Sequence, residues 1–339
     1  MNTTYTRLSM TEREYISRGL AVGWTFAYIA SNLNRSVSTV AREVWNNCTY
    51  KRTYRAQRAQ NTAQTTRHRQ KQTKKLDTNN LLREYMLTKL CSNKWSPQEI
   101  ASRLKLDYPR TMTMRVSHES IYTYIYCLPK GVLRKELIQC LRQERNLRKN
   151  RKNSHTRHGA IQDAISIHER PEETKHRTVP GHWEGDLLMG SKRSNTALGT
   201  LVERTTRYLL LVPLEKHDAY TVRISFAKAV RAIPQRLKKS LTYDRGSEMA
   251  EHKLFTKDTK VQVYFADPHA PWQRGTNENT HGLLRQFFPK GIDFRTVTKK
   301  EIQKVQDLMN DRPRKVLGFY KPVEVFSEVL INPDFALEG

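Results

Sequence analysis

From Thr178 onward, short runs of strand composition alternate with amphipathic stretches, and the order of these segments leaves few folds open. His182–Met189 (HWEGDLLM), Leu198–Glu203 and Tyr208–Leu214 follow one another at hairpin distance. A helical pattern over Ala219–Ile233 comes next, with Val222, Phe226, Val230 and Ile233 on one face. Two more β-prone runs, Ser240–Tyr243 and Val261–Phe265, then alternate with helical segments. Three strands joined as hairpins and followed by helix–strand alternation predict an α/β domain: a mixed five-stranded sheet with flanking helices.

Three acids occupy special points of that order. Asp186 lies inside the first strand, Asp244 directly follows the fourth, and Glu278 falls early in the helix after the fifth. On that helix Leu283, Leu284, Phe287 and Phe288 form the apolar side, so Glu278 turns away from it with His281 and Arg285. The element order is that of the ribonuclease H-like fold, in which the first and fourth strands are neighbours. The three carboxylates would then meet at one spot. Converging carboxylates repel one another unless a cation sits among them. Hard oxygen ligands suit Mg2+ or Mn2+. Two such ions about 4 Å apart activate a water or a 3′-hydroxyl for in-line attack at phosphorus. Zinc is not expected: Cys127 and Cys140 precede His155 and His158, but neither cysteine belongs to a CxxC pair.

Charge divides the chain. The formal net charge is +27, and residues 1–160 hold 31 basic against 10 acidic side chains. Residues 51–75 carry nine basic side chains and no acidic one, and Leu141–Arg157 carries seven against Glu144. Such a balance calls for a polyanion, and double-stranded DNA is the expected partner. Lys51, Arg52 and Arg55, with Tyr50 and Tyr54 among them, suit a segment lying along phosphates. No uncharged apolar run of eighteen residues and no signal peptide are found, which argues against a membrane. The four scattered cysteines form no disulfide framework, so a cytoplasmic, nucleoid-associated location is expected.

Two helical units fill the basic half. Ser9 with Glu12 opens a first helix as a capping box, and Phe26, Ile29, Ala30 and Leu33 line a second. Ser36 caps a third whose inner face is Val37, Val40, Ala41 and Val44. Ser38, Thr39 and Arg42 then point outward near its start, as a recognition helix requires for reading base edges. A second unit begins with Leu81, Leu82, Tyr85 and Met86. It continues through the helix start Ser96-Pro97-Gln98-Glu99 to a helix that exposes His118, Ser120 and Thr123. It reads as a second DNA-binding fold, with a packing or dimerisation module as the alternative. The resulting division is a helix-turn-helix over 1–50, a basic linker or helix over 51–78 and the second unit over 79–140. A basic linker over 141–175 and the α/β domain over 176–333 complete it.

The spacings and motifs resemble one family. Between Asp186 and Asp244 lie 57 residues, and between Asp244 and Glu278 lie 33. VPGHWEGDL (179–187), TLVER (200–204), DPHAPWQRGTNEN (267–279) and NDRPRKVLG (310–318) resemble the motifs of IS30-family bacterial transposases, within the DDE transposase and integrase superfamily. With KWSP (94–97) and the first helical unit, the resemblance spans residues 8–327. It implies that Asp186, Asp244 and Glu278 form a metal-binding catalytic triad and that the N-terminal region reads the terminal inverted repeats of a mobile element. It further implies DNA cleavage and strand transfer without a covalent protein–DNA intermediate, in a multimer that pairs two ends. Arg274, His182 and Trp272 are expected to shape the site or touch the strand at the scissile phosphate. Glu184, on the same strand face as Asp186, either assists the metal or supports the site. Ala270 stands where the family pattern has Ser, and His281 where it has Asn. The rival readings are a catalytically inactive DNA-binding regulator derived from a transposase and a structure-specific nuclease of the same fold.

Overall fold

The computed structural model describes residues 7–68, 75–141, 161, 163–191, 193–268 and 270–332. Most of the basic run over 141–157, and His155 and His158 with it, lie outside the described residues. The chain divides into two compact units, Met1–Lys74 and Lys75–Gly339.

The first unit consists of α1 (Met10–Ala21), α2 (Phe26–Asn32), α3 (Val37–Asn47) and α4 (Ala56–His68). Each of the first three starts on a hydroxyl cap, at Ser9, Thr25 and Ser36, and Ser9 and Glu12 close the expected capping box. Ile16, Leu20, Ile29, Ala30, Val40 and Val44 form the core. Two expectations are corrected. Val37 is half exposed, because it opens α3 a full turn ahead of the packed Val40 and Val44. Tyr54 does not lie along phosphates: it is buried in this core and its hydroxyl donates to Glu43 Oε1 at 3.3 Å, while Tyr50 stays exposed.

The second unit begins with α5 (Lys75–Thr78), α6 (Asn80–Leu87), α7 (Pro97–Asp107), α8 (His118–Cys127) and α9 (Val132–Cys140). They enclose Leu82, Met86, Trp95, Ile100, Leu104 and Ile121. Leu81, expected to open the apolar face, is instead exposed, since α6 turns Leu82 and Met86 fully inward, with Tyr85 and Leu87 packed beside them. After α10 (Glu173–His176) comes the sheet: β1 (His182–Met189), β2 (Ala197–Glu203), β3 (Leu209–Leu214), β4 (Ser240–Tyr243) and β5 (Gln262–Phe265). Between and after these strands run α11 (Ala219–Arg231), α12 (His252–Thr259), α13 (Gly275–Leu284), α14 (Lys299–Asn310) and α15 (Pro322–Ile331). Glu99 and Arg103 of α7 bind this part of the unit. Arg103 donates two hydrogen bonds to the Glu324 carboxylate at 2.7 and 2.6 Å, and Arg312 Nε lies 3.0 Å from Glu99 Oε2.

The strand order is β3-β2-β1-β4-β5, with β1 antiparallel to β2 and parallel to β4, as the mixed sheet requires. Alternation along β1 sorts its side chains. Trp183 and Leu187 join Val222, Phe226 and Phe255 in the core under α11 and α12. Leu188 packs with Leu283, Leu284 and Met309 under α13 and α14. Glu184 and Asp186, in phase with Leu188, therefore face α13. Between them Gly185 lets β1 approach Tyr243: a Cβ there would sit 2.8 Å from the buried ring's Cδ2. Gly185→Ala is accordingly expected to cost about 1–3 kcal/mol by overpacking. An unchanged urea-unfolding midpoint would show that the ring yields freely.

Candidate active site

Helix α13 lies along β1 in the same direction, held at three heights. Glu184 Oε2 accepts the backbone N–H of Asn277 at 3.0 Å. Thr200, paired with Asp186 across β1 and β2, brings its Oγ1 within 2.8 Å of His281 Nε2 and 3.1 Å of Asn277 Oδ1. Arg285 Nη2 donates to the carbonyl of Met189 at 3.1 Å. Residues 277, 281 and 285 thus stand beside 184, 186 and 189.

Glu184 is fully buried, and both of its oxygens are engaged. Its second oxygen accepts from Arg204 Nε at 3.0 Å, and Arg204 in turn donates to the Thr174 carbonyl at 2.7 Å. Its role here is that of a tether between β1, the turn after β2 and the start of α13.

The two aspartates are built alike. Asp186 Oδ1 accepts the N–H of Leu187 at 2.8 Å, and Asp244 Oδ1 accepts that of Gly246 at 3.0 Å. Each Oδ2 faces Arg274, at 3.0 Å from Nη1 and Nη2 respectively. Burial raises the Asp186 carboxyl above the usual carboxylate range, against the pull of Arg274. Burial alone would lower the Arg274 pKa, but the two carboxylates more than offset that and keep it charged.

Glu278 is exposed, on the stripe of α13 that runs Arg274, Glu278, His281, Arg285. Arg274, four residues before it, and His281, three after it, both approach Asp186, the imidazole with Nδ1 at 3.8 Å. Burial, then the charges of Arg285 and Arg274, push His281 down to about 4, so its ring is neutral at pH 7. Among the described residues no group of three or more His, Cys, Asp or Glu stands at metal-binding distances. Arg274 supplies the positive charge between the aspartates. The donor set fits a hard divalent ion: two carboxylates already converge on one positive charge, with a third a helical turn away.

The other candidates fall into separate places. Ser38 and Thr39 open α3, with hydroxyls 2.9 and 2.8 Å from Ser36 Oγ, and Arg42 is exposed one turn on. Lys51 Nζ lies 4.4 Å from the centroid of the Phe26 ring. Arg52 and Arg55 are exposed, as is His118 at the start of α8. Trp272 is 72% exposed, which suits a contact surface rather than a core. His182 is buried, between Ser240 Oγ at 2.7 Å and Glu173 Oε1 at 3.0 Å, so the expectation that it touches DNA gives way to a packing role. Thr200, Arg204 and Asn277 had not been singled out. The quoted motifs contained all three, and the period of β2 would have set Thr200 on the face of α13.

Residues 176–271 match the family model for an integrase core domain, and residues 4–47 match that for a helix-turn-helix domain. The first match includes Asp186 and Asp244 and ends before Glu278. The chain is 41% identical to the transposase for insertion sequence element IS1086 of Cupriavidus metallidurans over 98% of its own length and 97% of that protein's. It is 43% identical to transposase InsI for insertion sequence element IS30A of Escherichia coli, over 94% of this chain and 82% of that one. The chain belongs to the IS30 family of transposases. The transposase for IS4351 of Bacteroides fragilis is 33% identical over 94% of this chain and 95% of its own. This transposase is therefore a DNA-acting enzyme with a helix-turn-helix region ahead of an integrase-type core. Among its described residues no helix is long and apolar enough to cross a membrane. Glu184→Gln leaves Arg204 buried beside a neutral partner and is expected to destabilise the fold by about 3 kcal/mol. Chemical denaturation with the variant indistinguishable from wild type would remove the tether role.

Proposed function

We propose that this transposase cleaves and joins the ends of its element by metal-dependent phosphoryl transfer at Asp186, Asp244 and Glu278. One observation carries the reading: aspartates from β1 and the end of β4 share a single cation, and Glu278 lies on the helical stripe between two residues that approach Asp186. The three carboxylates would hold Mg2+ or Mn2+, two ions per site, which when bound supply activation of water or a 3′-hydroxyl and charge neutralisation at the leaving oxygen. Asp186 and Asp244 keep Oδ1 on backbone N–H groups and so aim Oδ2 inward. Arg274 balances the pair, and with an ion in its place would be free to turn toward the DNA phosphates, beside exposed Trp272. Glu184 keeps α13 in register throughout.

The first unit would recognise the terminal inverted repeats, with Ser38, Thr39 and Arg42 at base edges and Lys51, Arg52 and Arg55 on phosphates. The division at residues 50, 78, 140 and 175 is proposed as one of function; by packing, Tyr54 and Ala59 join the core of the first unit and Leu76 that of the second. The 79–140 unit carries His118 toward DNA and rests through α7 on the catalytic part. Pairing two ends calls for a homo-oligomer, and the work on DNA for association with the nucleoid.

Nicking of end-containing DNA with Mg2+ is expected to fall about a hundred- to a thousandfold in Asp244→Asn, the range in which loss of a transition-state charge stabiliser falls. Equal activity would sink the assignment, and cleavage with neither end joining nor preference for inverted repeats would favour a structure-specific nuclease. Arg42→Ala is expected to weaken binding to the element ends by about 1–3 kcal/mol. Fluorescence anisotropy across a salt series checks this; loss of salt slope with sequence discrimination intact would make Arg42 a phosphate contact.

A further inference from the structure

His281 is the member of the α13 stripe whose chemistry phosphoryl transfer by three carboxylates leaves unused. Its ring is largely enclosed and touches two groups, Thr200 through Nε2 and Asp186 through Nδ1. The Thr200 hydroxyl has three neighbours: the Asp186 carbonyl at 3.1 Å, Asn277 Oδ1 at 3.1 Å and His281 Nε2 at 2.8 Å. The two oxygens only accept, and the hydroxyl has one proton to give. One hydrogen bond forms when Thr200 donates to Nε2, against two when Nε2–H donates to Thr200 and Thr200 donates to one of the oxygens. That tautomer leaves the Nδ1 lone pair 3.8 Å from Asp186 Oδ2, two electron-rich atoms facing each other with no proton between them. Such a pair is unfavourable alone and favourable around a cation. A hydrogen bond that fixes one ring nitrogen so that the other faces a metal is how histidine ligands are generally oriented.

We propose that His281 adds a nitrogen donor to the cation site at Asp186, giving this transposase a preference for first-row transition ions such as Mn2+ over Mg2+. This rests on the carboxylate site proposed above. Imidazole favours transition ions, whereas Mg2+ is served by oxygen alone. The nitrogen comes from a position where the family pattern has Asn, so His281→Asn keeps the size and polarity of the side chain while removing the imidazole.

The test is Mn2+ binding by the full-length chain without DNA, followed by the electron paramagnetic resonance of free and bound ion and by electron spin echo modulation from 14N. Wild type is expected to show 14N modulation that His281→Asn abolishes, with Mn2+ affinity falling roughly tenfold and Mg2+ affinity, read by competition, falling far less. Thr200→Val retains the ring but removes the hydroxyl that orients it, and is expected to weaken Mn2+ binding by a similar factor. It stands as a second probe whether or not His281→Asn folds. Bound Mn2+ without 14N modulation, or with modulation that persists in His281→Asn, would overturn the nitrogen donor and leave the carboxylate site standing. Mn2+ binding that is absent, or unaffected by Asp186→Asn, would bring down the carboxylate site and this inference with it.

Discussion

The site depends on one buried carboxylate. Glu184 sits in the middle of β1 with no exposure, and it is tolerated there because each oxygen meets a donor that has few other choices. Arg204 brings the charge and ties down the turn after β2, while the N–H of Asn277 is one of the amides left over at the start of a helix. A carboxylate near a helix N-terminus also gains from the helix dipole. The same group thus neutralises an arginine, caps a helix and sets the height of α13 on β1. Glu278 stands where it does because its neighbour in sequence is held in this way.

Around that anchor the electrostatics are opposed and nearly balanced. Asp186 lies in β1 and Asp244 directly after the adjacent, parallel β4, and two carboxylates brought together there raise each other's cost of ionisation. Arg274 removes the conflict with one guanidinium whose two nitrogens reach both acids. His281 completes the boundary as a neutral ring. Burial and the flanking arginines keep it from adding a positive charge that would compete with a cation at the aspartates.

Much of this was legible in the sequence. Element order and hydrophobic period placed all five strands to within a residue at either end, because hairpins and alternating crossovers leave little choice of neighbours. Strand phase placed Asp186 and Glu184 on one face, and helical phase turned Glu278, His281 and Arg285 together. What stayed hidden were contacts between residues far apart in the chain. Nothing local to Arg274 tells that it spans two aspartates, or local to Glu184 that Arg204 is its partner. The join of α7 to Glu324 bridges more than two hundred positions. Tyr54 misled for the same reason: its neighbours in sequence are basic, whereas its neighbours in space are Glu43 and an apolar core.

The means of holding α13 explain how the cation between the aspartates could be exchanged without loss of the site. Apart from the two ion pairs of Arg274, the bonds that fix the helix to the sheet run through other residues. Glu184 holds Asn277, Thr200 holds Asn277 and His281, and Arg285 holds the end of β1. Arg274 contributes its charge from the end of a long stem at the helix start, where withdrawal would cost two ion pairs but no backbone contact. A divalent ion held by Asp186 and Asp244 would supply that charge in its place. The placement of the carboxylates and the charge that balances them are thus separate properties, carried by different residues.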